Sequence, residues 1–170
     1  MTFQVTVNNS PKLAYSDKYV AAASSAAKSN AGAWPEPEHL VKLDVKFRDY
    51  CYELTTKATN VEKFTAIIST FQQLAALRKN WDSYGALPLS HKSWASALRT
   101  LFVACDAGAE CPYIGLTNTG GVHLEWSRSG RSLEIEIEGD ARQFGYLIDG
   151  NEVREIEQIT RDDILTFVRT

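Results

Sequence analysis

Residues 120–140, "GGVHLEWSRSGRSLEIEIEGD", constrain the fold more than any other stretch of the chain. Val122, Leu124 and Trp126 alternate with polar residues, and Leu133, Ile135 and Ile137 do the same after Ser129 and Gly130. Successive side chains of a strand point to opposite faces, so each run reads as a strand with one apolar and one wet face. Ser129 and Gly130 supply the tight turn between them, which makes the pair an antiparallel hairpin. "RQFGYLID" after Asp140 reads as a third strand, and Asp149, Gly150 and Asn151 turn the chain into "EVREIEQI". An antiparallel meander with one face free for packing follows.

The material to cover that face lies upstream, where the period changes. Phe64, Ile67, Ile68, Phe71, Leu74, Ala75 and Leu77 form a helical stripe from about 60 to 80, with Asn60 as candidate cap and Glu62 in the first turn. A second helix is expected from Ser90, its cap, to about 107, with Trp94, Leu98, Leu101, Phe102 and Cys105 on one face and Gly108 as its stop. Before these, Val41, Leu43, Val45 and Phe47 alternate with charged residues, and Tyr50, Tyr52 and Leu54 continue the pattern beyond a small irregularity at Asp49. "FQVTV" at 3–7 reads as a short strand, and residues 16–34, rich in Ala and Ser, as a weak helix or arm. The tail "TRDDILTFVRT" reads as a short helix capped by Thr160, with Ile164, Leu165 and Val168 inward. The expected class is α+β: two antiparallel helices on an antiparallel meander, with an N-terminal strand-containing extension. At 170 residues a single domain is expected, with 1–37 an extension or arm and 41–170 the main body.

Between the two helices, "RKNWDSYGALPLS" at 78–90 has the residue types of an active-site loop. The same residues also suit a hinge. Trp81 falls four residues after Leu77 and would continue the helical stripe, and Tyr84 would lay its ring on the same core. Gly85 can take a positive φ, Pro88 restrains the exit, and Asp82 can accept backbone N–H groups of the turn. No histidine, cysteine or second acid within the loop completes a catalytic pair, so Trp81, Asp82, Tyr84 and Gly85 are assigned as a structural hinge.

Charge and cysteine content narrow the partners. The net charge is −3, split as +3 over residues 1–80 and −6 over 81–170, which disfavours nucleic acid as a partner. Cys51, Cys105 and Cys111 form no CxxC pair and are odd in number. No apolar run is long enough to cross a membrane, and none reads as a signal peptide, so a reducing, cytoplasmic setting is expected. His39 and His91 lack ligand spacing, the glycines at 120–121 lack the Lys and Ser or Thr of a phosphate loop, and HExxH and GxSxG are missing. No catalytic residue, metal ligand or cofactor is assigned.

The functional candidate lies on the wet face of the hairpin. A turn at Ser129 and Gly130 sets Glu125 opposite Glu134 and His123 opposite Glu136, with Glu138 further along. Paired carboxylates repel, so the face of His123, Glu125, Glu134, Glu136 and Glu138 is either a plain solvated face or one complemented by an external cation, a basic side chain or a protein partner. The leading expectation is a non-enzymatic protein-binding module, such as an inhibitor, antitoxin or accessory subunit, without membrane association and with a homo-oligomer left open. The alternative is a metal-assisted hydrolase using the same carboxylates with His123 as base or ligand, which requires His123, Glu125 and Glu136 to converge on one ion.

"NWDSYGALPLS" at 80–90, "GGVHLEW" at 120–126 and "LEIEIEG" at 133–139 together resemble a group of small uncharacterised bacterial or phage-associated proteins. In that group an NWDxYGA-like turn precedes a helix and a GGVxLEW, LEIEI hairpin. The likeness covers roughly residues 75–140. It implies an α+β module and brings no catalytic residue or ligand with it.

Overall fold

The computed structural model describes residues 39–48 and 50–169, and the chain divides into two compact units, 1–58 and 59–170. The expected strand at 3–7 and the helix or arm at 16–34 lie outside the described residues. The class is α+β, with three helices and two antiparallel sheets among the described residues.

In the first unit, β1 (Leu40–Phe47) and β2 (Tyr50–Lys57) form a hairpin in which Phe47 pairs with Tyr50, Val45 with Tyr52 and Leu43 with Leu54. The chain therefore reverses between Phe47 and Tyr50, and Asp49, where an irregularity is expected, lies outside the described residues. Arg48 takes φ +51, the left-handed backbone of a two-residue hairpin turn. The shift in parity from 47 to 50 is what a two-residue turn leaves in the sequence, because residues directly opposite share a face.

The second unit holds a five-stranded antiparallel sheet in chain order: β3 (Tyr113–Leu116), β4 (Val122–Arg128), β5 (Arg131–Ile137), β6 (Gln143–Asp149) and β7 (Glu152–Ile156). Its register is the one the Ser129–Gly130 turn dictates. Val122 pairs with Ile137, Leu124 with Ile135 and Trp126 with Leu133, and all six are buried. Ser129 and Gly130 have φ of +51 and +81. The strand β3 was not anticipated; it is short and is followed by the 117–121 connection.

Two antiparallel helices, α1 (Val61–Ala76) and α2 (His91–Asp106), lie on the apolar side, α1 against β3 and α2 against β4 and β5. Phe64 meets Phe102 at a ring separation of 5.2 Å and Phe71 meets Trp94 edge-on at 6.5 Å, which fixes the opposed directions. On the sheet side, the Gln143 amide donates to Ser96 Oγ at 2.8 Å, tying β6 to α2. The third helix, α3 (Arg161–Arg169), packs on α2 and buries Ile164 and Phe167. Its start is a reciprocal cap: the Thr160 backbone N–H donates to Asp163 Oδ2, and the Asp163 N–H donates to Thr160 Oγ1.

Two terminus expectations need correction. Asn60 occupies the N-cap of α1, but its side chain makes no capping bond, since the 3-10 turn Ala58–Asn60 already leads the chain into the helix. That helix ends at Ala76 rather than near 80. Leu77 is extended at ψ 132 and Asn80 is left-handed at φ +67, so no helical spacing links Leu77 to Trp81. Ser90, by contrast, caps α2 as expected, accepting from the N–H groups of Lys92 at 3.1 Å and Ser93 at 3.4 Å.

No helix among the described residues is long and apolar enough to cross a membrane.

Candidate functional site

Strand register assembles the wet face row by row, since residues directly opposite on antiparallel strands share a side. One row runs Gly115, His123, Glu136, Phe144, and the next Tyr113, Glu125, Glu134, Tyr146, Glu155. Ser127, Ser132, Ile148 and Val153 form the third. The face is thus a carboxylate centre with aromatic shoulders. Strand period in the sequence marks the centre but not the shoulders, because Tyr113 sits on the short β3 and Phe144 and Tyr146 take their side from the pairing of β6 with β5.

Tyr113 is 67% exposed, and its ring lies over bare backbone: a methyl group on Gly115 would sit 3.1 Å from Tyr113 Cε1. The same ring is 6.4 Å from the His123 imidazole. His123 Nε2 stands 3.9 Å from Glu125 Oε2, a contact at the outer limit of an ion pair. Glu125 also accepts from Ser127 Oγ at 3.1 Å. Glu138, expected in the row, is turned to another purpose. It starts the β5–β6 connection, where its carboxylate pairs with Arg142 at 2.5 Å, and Asp140 pairs with the same guanidinium at 2.9 Å. Arg142 also lies 6.0 Å from the centroid of the Phe144 ring, at the edge of the face.

Among the described residues, no three His, Cys, Asp or Glu side chains gather into a group that could hold a metal ion. The three cysteines are free. Cys105 is buried, and burial pushes its thiol up to about 11, which keeps it protonated and unreactive near neutrality.

The 78–90 segment is a self-braced loop. Asp82 Oδ1 accepts from the N–H groups of Tyr84 at 2.8 Å and Ala86 at 3.0 Å. Asn80 Oδ1 accepts from Gly85 N–H at 2.8 Å, and Asn80 N–H donates to Ala86 O at 2.7 Å. Asn80, Ser83 and Gly85 all have positive φ. The aromatic expectations fail here: Trp81 is 37% exposed and Tyr84 is 93% exposed, since the early end of α1 leaves neither ring a place on its stripe. Trp81 keeps one tie, its indole N–H donating to Leu87 O at 3.2 Å.

Backbone N–H donation from Tyr84 and then Ala86 holds the Asp82 carboxyl below the ordinary aspartate range. A depressed folded pKa contributes order above the unfolded value and loses it as pH falls through the folded one. The Tyr84 amide resonance should therefore titrate with its midpoint below the ordinary aspartate value. A midpoint at or above that value would show the carboxylate is not engaged by the loop.

Comparison with family models, with curated proteins and with solved structures found no match.

Proposed function

We propose that the chain is a non-enzymatic protein-binding module, acting as an inhibitor, antitoxin or accessory subunit, and that it docks a basic segment of its partner on the open sheet face. The observation that carries the reading is the facing of Glu125 and Glu134 across one ladder, with His123 and Glu136 in the adjoining row. Directly opposed carboxylates destabilise a sheet, and an arriving guanidinium or ammonium removes that cost. Charge supplies steering and selectivity more than affinity. Tyr113, Phe144 and Tyr146 supply the apolar area that charge lacks, and their ring faces accept Arg by cation–π contact. Glu138 is not needed for this role, because Arg142 already neutralises it.

The test is affinity capture from an extract of the source cells at low salt, with three baits: the parent chain, Glu134→Lys/Glu136→Lys, and Glu62→Lys on an exposed position of α1. A stoichiometric partner should be retained by the parent and by Glu62→Lys, and reduced about tenfold or more on the sheet variant. No stoichiometric partner at low salt, or equal retention on all three baits, would contradict the reading.

A further inference from the structure

The α1–α2 connection, taken with the first two residues of α2, carries the opposite charge to the rest of its unit. Over residues 78–92, Arg78, Lys79 and Lys92 stand against Asp82, a net +2, whereas residues 93–170 hold seven cations and thirteen carboxylates, a net −6. The three cations are exposed, and between them Trp81, Tyr84 and Leu87 also reach the surface. Single exposed apolar residues mean little, but three on one self-braced loop, flanked by cations, form a pre-ordered anchor. Such rings lose little conformational freedom on docking.

This loop is hydrogen-bonded to one end of the sheet of its own chain rather than to its open face. Leu87 N–H donates to Asn118 O and Ser90 N–H to Gly120 O, both at 2.8 Å, which pins it to the β3–β4 connection at the end of the sheet. Its charge and aromatic character nevertheless complement that face, with Glu125, Glu134 and Glu136 at the centre and aromatic rings at the margins.

We infer that the 78–92 segment of one copy docks on the open sheet face of a second copy, and that the contact is made twice in a closed dimer. The inference rests on the sheet face being a docking surface, as proposed above. Arg78 and Lys79 meet the carboxylates, and Tyr84 packs against the aromatic shoulders. Two reciprocal contacts close the pair, whereas one contact repeated in a single direction would build open chains.

Sedimentation velocity of the full chain over a range of concentrations tests it. A reversible monomer–dimer equilibrium weakened by salt is expected. Arg78→Glu/Lys79→Glu, Glu134→Lys/Glu136→Lys, and Tyr84→Ser should each weaken dimerisation about tenfold or more. A chain carrying all four charge swaps should dimerise again, with its circular dichroism spectrum confirming the fold. A chain that stays monomeric throughout, association indifferent to the reversals, or a swapped chain that does not recover would each overturn the inference. Monomeric behaviour combined with Glu134- and Glu136-dependent capture of a different protein would overturn self-docking alone and leave the sheet-face reading standing.

Discussion

Trp94→Ala is expected to lower the unfolding free energy by about 3–5 kcal/mol, the range for truncating a large buried aromatic. Trp94 is 1% exposed, meets Phe71 edge-on and stacks at 6.1 Å on His91, so its removal leaves a cavity between the two helices. The residue that sequence spacing singles out for this cost is Trp81, whose indole is instead over one-third exposed. Its truncation removes part of a half-buried ring and one hydrogen bond, an effect of about 1–2 kcal/mol. Denaturant titrations of both variants, compared at equal m value, decide the matter. Equal costs, or a larger cost at Trp81, would mean that the loop and not the helix pair carries the core.

Gly120→Ala should be the second costly change. At φ +78 an alanine there pays about 1–2 kcal/mol of backbone strain. Its Cβ would also fall 2.6 Å from Pro88 O, which is backbone and cannot step aside, adding about 1–3 kcal/mol of overpacking. The expected total is roughly 2–5 kcal/mol. Gly130→Ala separates the two causes, since Gly130 has nearly the same φ, +81, but nothing within 4 Å of a new Cβ. It should lose only about 1–2 kcal/mol. A similar loss at both positions would show that the close approach of Pro88 to the 117–121 connection is not maintained in solution. Because Gly120 O also accepts from Ser90 N–H and Ser93 Oγ, the same change should loosen the anchorage of the 78–90 loop.

The meander was legible wherever alternation and turn chemistry agreed. Leu124 and Ile135, Glu125 and Glu134 pair as the Ser129–Gly130 turn requires: a one-residue slip would turn the apolar set outward, and the two-residue turn selects among the registers that remain. The strand β3 was hidden for the opposite reason: "YIGL" is four residues long, contains glycine and carries no alternation. The positions of Trp81 and Tyr84 were misread because an i, i+4 argument holds only while the helix continues, and the left-handed backbone at Asn80 is a local choice that periodicity does not report. At the candidate face, the carboxylate row followed from strand period alone. The diversion of Glu138 to Arg142, four residues on, depends on how the β5–β6 turn folds, and the placement of Tyr113 over Gly115 on a strand too short to show alternation.

Carboxyl footprinting tests the sheet-face account most directly. The free protein and its captured complex are labelled with a carbodiimide and an amine, and modification is quantified residue by residue by mass spectrometry. Protection of Glu125, Glu134 and Glu136 in the complex, with Glu62 on α1 labelled equally in both, is the predicted result. Unchanged labelling of the three sheet carboxylates in a complex that stays intact would contradict it.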